Sequence, residues 1–274
     1  MRKYLTVLLL CFSEAYKVDE YIDNLDCTID VIDSVPENLT PDGEPFIFRR
    51  GVNHLKKIQQ ELSIHNLKTV HGQKNIGLDY PGPMASPTPA WRSTTLEYYI
   101  QEYINKLDKF DIYDAFDSDI TRAYLWGPTD SCDRHRSNCT KNHITEFVPE
   151  SAYEMYTCPW MDDDKDSVVW GMGGKFTGLP FHNHRWVSNE IVYGKKIWFL
   201  YEPEHNIDAQ NFTSIDMIFT MIEEYIDDET FIPPKMCILN EGDVINIPSR
   251  WNHMSFNLET TVMVACVYEP QSAL

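Results

Sequence analysis

Two periodicities alternate along this chain. From Val52 to Leu67 the apolar positions Leu55, Ile58 and Leu62 recur at intervals of four and three, which predicts an amphipathic helix. Ser93-Thr94-Thr95-Leu96-Glu97 offers hydroxyl caps, so a second helix is expected from there to about Phe110. A third is expected over Phe212 to Tyr225, with Ile215, Ile218, Met221, Ile222 and Tyr225 on one side. Residues 71–92 hold Gly72, Gly77, Pro81, Gly82, Pro83, Pro87 and Pro89 and predict loop. Elsewhere the apolar runs are short and bounded by turn residues, as strands are: Pro45 to Arg49, Ser167 to Trp170, Glu190 to Tyr193, Ile197 to Tyr201, Met236 to Leu239, Asp243 to Ile247 and Thr261 to Val267. Residues 16–44 are acidic and turn-rich, so a loose N-terminal arm is expected, and residues 126–167 are polar and read as irregular. Many short strands with one inserted helix predict a closed or sandwiched β architecture.

Composition narrows the partners. An apolar fraction of 43% and an aromatic fraction of 13% in 274 residues support a folded core. A net charge of -19 argues against nucleic acid, because phosphate binding needs clustered Lys and Arg. Arg2 and Lys3, followed by the apolar run Leu5 to Phe12 and by Ser13-Glu14-Ala15, have the order of a secretory signal peptide. No later stretch approaches the roughly 20 apolar residues of a membrane span. The sequons at Asn38, Asn138 and Asn211 are candidate glycosylation sites and agree with a secretory route. Setting aside Cys11, the cysteines left are Cys27, Cys132, Cys139, Cys158, Cys237 and Cys266. An even number in an oxidising compartment permits disulfides. Cys132 and Cys139 flank a short polar loop and are the preferred pair, while Cys237 and Cys266, in apolar runs, also suit buried free thiols.

The candidate chemistry lies in three histidines. Side chains alternate along a strand, so His182 and His184 in Phe181-His182-Asn183-His184 would share one face, and His253 in Arg250-Trp251-Asn252-His253 would join them from a later strand. Three protein ligands with open positions are what a catalytic metal needs. His135, His143 and His205 sit in polar stretches and read as surface residues. Trp186, Trp198 and Trp251 read as packing, and Asp162-Asp163-Asp164 as a solvated charge cluster, since it lacks the Gly and terminal Glu of an EF-hand loop.

At these residues the chain resembles the JmjC, or cupin-like, family. Gly178 to Tyr201 looks like the first metal-binding half of such a domain, and Glu241 to Pro248 with Trp251-Asn252-His253 and Asn257-Leu258 looks like the second. The similarity is dense over 171–270, faint over 40–125, and nearest to a lumenal, signal-bearing branch. It implies a mainly β fold with added helices, the double-stranded β-helix or jelly roll, over residues 166–274. A signal peptide (1–15), the arm (16–44) and a helical and irregular part (45–165) packed on the core would precede it. Active members bind Fe(II) and 2-oxoglutarate and oxidise a C–H bond. By resemblance His182 and His253 match the first and last metal ligands, Lys196 matches the basic residue that holds the distal carboxylate of 2-oxoglutarate, and Asn189 and Asn257 match positions near the metal and co-substrate.

One position departs from the pattern: His184 stands where active members place Asp or Glu. Three imidazoles give the metal no negative charge, so iron and dioxygen chemistry should change while Fe, Zn, Ni or Cu binding survives. Leu179, where some members place Thr, further weakens the co-substrate pocket. The leading expectation is a lumenal protein of the endoplasmic reticulum, or a secreted one, that binds a metal, has weak or no 2-oxoglutarate oxygenase activity, and acts through a protein substrate or complex in the secretory pathway. The alternatives are an active Fe(II)/2-oxoglutarate protein hydroxylase and a three-His cupin with other metal chemistry.

Overall fold

The computed structural model describes residues 22, 25–34, 43–78, 92–116, 118–127, 168–205, 207, 212–227 and 231–267. The signal segment, the sequons at Asn38, Asn138 and Asn211, the Cys132/Cys139 pair, His135, His143 and Asp162 to Asp164 lie outside them.

Two sheets face each other. The larger contains β1 (Asp30–Ile32), β2 (Phe46–Arg49), β5 (Leu125–Gly127), β6 (Val168–Gly173), β8 (Val187–Tyr193), β11 (Asp243–Ile247) and β13 (Thr261–Val267), in the order β1-β2-β11-β8-β13-β6-β5. The smaller contains β7 (Gly178–His182), β9 (Lys196–Tyr201), β10 (Lys235–Leu239) and β12 (Asn252–Asn257), in the order β10-β9-β12-β7. From β6 to β9 and again from β10 to β13 successive strands alternate between the sheets, and the pairing among these strands is antiparallel, so the mainly β jelly roll expected from the sequence is the fold observed. The space between the sheets is filled by Ile47, Ile191, Leu200, Ile245, Met263 and Ala265, all essentially solvent-free. Gly194 turns β8 into β9 with φ +80°, and a side chain there would strike the Thr260 carbonyl.

Helices cover the outer faces. The expected helix over 52–67 is broken into a 3-10 turn (Asn53–Leu55), α1 (Lys56–Leu62) and α2 (Ile64–His71). The break is at Ser63, whose backbone is extended and whose hydroxyl accepts from the Asn66 N–H at 3.2 Å; a cap inside the predicted segment restarts the helix. The third helical element begins after Thr95, which caps it as expected, and runs through Leu96–Tyr99, a π-type turn Ile100–Ile104 and Asn105–Leu107. A short helix follows at Ile112–Phe116. The inserted helix, Ser214–Asp227, lies over the small sheet and buries Ile215, Ile218 and Met221. Truncating a residue as buried as Ile218 to Ala costs about 2–5 kcal/mol.

Three further expectations change. Asn75–Leu78 (β3), assigned to loop, pairs with Arg92–Thr95 (β4), because Ile76 and Leu78 alternate into the core on either side of Gly77. The segment assigned to a loose arm is held down within its described residues. Cys27 is disulfide-bonded to Cys237, Thr28 exchanges hydrogen bonds with Met236 on β10, and Asp30–Ile32 adds a parallel edge strand to β2. Cys237, through its bond to Cys27, and Cys266 each take part in a disulfide, so neither is a free thiol. The Cys27–Cys237 link spans 210 residues, so it constrains a very large loop of the unfolded chain.

Candidate metal centre and anion pocket

His182 ends β7 and faces His253 near the start of β12, the two being directly paired across the strands. His184 lies two residues beyond the end of β7, in the connection to β8, so strand alternation is not what brings it in. The three rings nevertheless meet. Their centroids are 5.4 Å (His182–His184), 4.3 Å (His182–His253) and 4.6 Å (His184–His253) apart, and one ligand nitrogen from each lies within 4.8 Å of the others.

The hydrogen bonds fix which nitrogen is available. His182 Nδ1 bonds the Pro180 carbonyl at 2.7 Å, His184 Nδ1 the Arg185 carbonyl at 2.6 Å and His253 Nδ1 the Trp251 carbonyl at 2.9 Å. A carbonyl oxygen only accepts, so each Nδ1 carries the proton and each Nε2 of a neutral ring presents a lone pair. Burial pulls His182 down to about 4 and His184 below its usual value; it also pulls His253 well down, helped by its two histidine neighbours. All three rings are therefore neutral at pH 7. The Nε2 atoms of His184 and His253 stand 3.2 Å apart with no proton to share, an unfavourable contact that a shared cation would turn into two bonds. Backbone carbonyls on the far nitrogens are also the usual outer support of metal-bound imidazoles. This donor set fits a divalent metal.

The same sheet builds a second polar cluster. Lys196 begins β9, and its side chain is completely buried between the sheets. Its Nζ donates to Tyr124 Oη at 2.8 Å and Ser255 Oγ at 3.4 Å, lies 5.0 Å from the Tyr124 ring centre and 5.6 Å from that of Trp198, and finds no carboxylate among the described residues. Burial drags the ammonium down to about 7. Asn189 donates to the Met263 sulfur at 2.6 Å and leaves its buried Oδ1 without a hydrogen bond, as does Trp198 Nε1. Asn257 donates to the Gly174 carbonyl and to Thr177 Oγ1, and its Oδ1 is likewise unsatisfied. A buried lysine with no carboxylate partner among the described residues, and with the unused Trp198 N–H on a neighbouring ring, fits an anion better than a packed core. His253 and Ser255 point the same way, two residues or about 7 Å apart along β12, so the triad and the serine that meets Lys196 share one face of the strand.

The sequence-predicted residues divide accordingly. The three histidines come together, Lys196 and Asn189 line the interior between the sheets, and Asn257 turns to the Gly174–Thr177 turn. His205, expected at the surface, is half-buried and stacked on Tyr201 at 4.0 Å. Trp186, Trp198 and Trp251 are buried as expected. Tyr124 and Ser255 were not foreseen. Ser255 follows His253 by two, so strand periodicity could have found it; Tyr124 reaches Lys196 from 72 residues away and left no local signal.

No family model matches the chain. JmjC domain-containing protein 8 of Mus musculus is 34% identical over 127 residues, which is 45% of each chain, and that of Homo sapiens is 33% identical over 131 residues, 45% of this chain and 46% of the relative. The 2-oxoglutarate and iron-dependent oxygenase JMJD4 of Gallus gallus is 26% identical over 145 residues, 44% of this chain and 33% of the relative. The matched segment thus spans less than half the length of each of these relatives. Among the described residues no helix is long and apolar enough to cross a membrane.

Proposed function

With the chain belonging to the JmjC-domain family, we propose that it is a metal-binding lumenal protein whose 2-oxoglutarate oxygenase activity is weak or absent and whose work is done through contacts with other proteins. The observation that carries this is the donor set: three neutral imidazoles, with His184 where a carboxylate would lower the metal's charge. His182, His184 and His253 would hold the metal through Nε2, with the Pro180, Arg185 and Trp251 carbonyls fixing each ring. Bound iron with 2-oxoglutarate supplies oxidation of a C–H bond by dioxygen in active relatives of this kind. Lys196 would bind the distal carboxylate, with Tyr124 and Ser255 orienting it and Asn189 facing the same interior with an unused Oδ1. The buried Trp198 would keep water from the two.

An endoplasmic reticulum lumen or a secreted fate is supported by the Cys27–Cys237 disulfide, since such links persist in oxidising compartments.

A second reading, an active protein hydroxylase of the secretory pathway, is favoured by the intact lysine pocket. The test is metal content and 2-oxoglutarate binding on protein made through the secretory route, wild type beside His182→Ala. Metal with little 2-oxoglutarate turnover supports the proposal. Stoichiometric iron together with 2-oxoglutarate decarboxylation, both lost in the variant, makes the hydroxylase the better reading. Metal without any 2-oxoglutarate binding points to a three-His cupin of other chemistry, and neither metal nor ligand leaves a fold kept for protein contacts.

A further inference from the structure

His184 is the one ligand that no strand positions, so something else must. Four hydrogen bonds tie its loop to residues 246–252, which run from the end of β11 through the turn to the start of β12, beside His253. Asn183 Nδ2 donates to Asn252 Oδ1 at 2.9 Å, the Arg250 N–H to the His184 carbonyl at 2.9 Å, the Trp186 N–H to Ser249 Oγ at 3.2 Å and Trp186 Nε1 to Asn246 Oδ1 at 2.5 Å. The bond to His184 itself comes from a residue in an unusual state. Arg250 has φ +69°, and among the described residues Phe176 is its one non-glycine companion in that region. The left-handed conformation is costly for residues with a Cβ and persists where surroundings over-determine it. The Arg250 side chain is exposed, so packing of that side chain does not account for the strain. The contact this backbone does make is the hydrogen bond to the His184 carbonyl.

We infer that Arg250 is a positioning residue for the metal centre. Its left-handed backbone aims its N–H at the His184 carbonyl and holds the third imidazole against His253. The role belongs to the main chain, not to the guanidinium. This rests on the metal-site reading above.

The test is the zinc dissociation constant, by chelator competition, across Arg250→Lys, Arg250→Ala, Arg250→Gly and Arg250→Val, with the melting temperature of each metal-free protein beside it. Lys, Ala and Gly can hold the left-handed turn, and their zinc affinity should stay within about threefold of wild type. Val, branched at Cβ, resists that conformation and should lose about tenfold, the scale of losing an outer support to a ligand. Metal-free melting should change far less between Ala and Val than affinity does. An unchanged affinity in Arg250→Val overturns the inference, and so do losses in Lys, Ala or Gly as large as in Val. Should Arg250→Val not fold, Arg250→Thr, also branched at Cβ, takes its place; about a tenfold loss of affinity supports the inference, and an unchanged affinity overturns it. His184→Ala sets the floor for two ligands. Wild type binding no tighter than this variant sinks the metal-site reading and the inference together, whereas wild type binding tighter with Arg250→Val unchanged sinks the inference alone.

Discussion

The two ends of the interior between the sheets have opposite deficits. At one end three neutral imidazoles converge with their lone pairs together. At the other, a lysine is buried with no carboxylate partner among the described residues. Both ends are built on the same strands: β12 contributes His253 and Ser255, and β9, hydrogen-bonded to it, contributes Lys196. A metal at one end and a dicarboxylate at the other would correct both deficits, and each would bring the charge the other lacks. The ends differ in construction as well. Lys196 is set by regular strand register, whereas the triad depends on a loop, and the loop residue is the one that departs from the carboxylate pattern.

Removing one end entirely should give the largest effect. His182→Ala or His253→Ala should weaken divalent metal binding by more than about 100-fold, beyond the 10–100-fold of losing a mere outer partner. Chelator competition checks this, and a variant that keeps wild-type affinity would remove the triad from consideration.

Repairing that end is the next test. His184→Asp gives the metal a negative ligand, and iron-dependent 2-oxoglutarate decarboxylation should rise by about tenfold or more from a low baseline. A fall in turnover would mean that the three-His set is itself the working one.

At the other end, Lys196→Met keeps the bulk and deletes the charge. Dicarboxylate affinity should fall about tenfold, while the ligand-free protein should melt at the same temperature or a few degrees higher, because a buried unpaired cation has been removed. Calorimetry and thermal melting report the two halves separately, and a variant that loses both stability and affinity would mark Lys196 as a structural residue.

The smallest signal is a proton. Burial holds the Lys196 ammonium down to about 7, whereas the unfolded side chain titrates near 10.4. Between those values the unfolded chain binds more protons than the folded one, so this lysine makes the ligand-free protein more stable as pH rises from about 7 to about 10. A dicarboxylate would favour the charged form, so binding near pH 8 should take up close to one proton, falling toward none below about pH 6. Titration calorimetry in buffers of different ionisation enthalpy measures the uptake. No uptake at pH 8 would mean that the anion does not meet the lysine.

Strand placement was readable because short apolar runs bounded by turn residues have few other uses. Ile197 to Tyr201 and Asp243 to Ile247 are strands where expected. The helix over 52–67 was misjudged because Ser63 suits an interior position or a cap equally well until its neighbours are placed. β3 was missed because Gly77 and the prolines beyond it hide an alternation of only two apolar residues, Ile76 and Leu78.

The sequence by itself determined a closed or sandwiched β pattern and offered three histidines, because short apolar runs and strand spacing are local signals; the jelly roll and the part given to Lys196 came from the resemblance to the JmjC family. Only the tertiary structure decided how they work together. It took His184 off the strand and hung it from the turn before His253, set Tyr124 and Ser255 on the lysine, and joined Cys27 to Cys237 across 210 residues. Local periodicity reports which way a side chain points along its own strand. What it meets there is fixed by segments far away in the chain, and no local pattern encodes them.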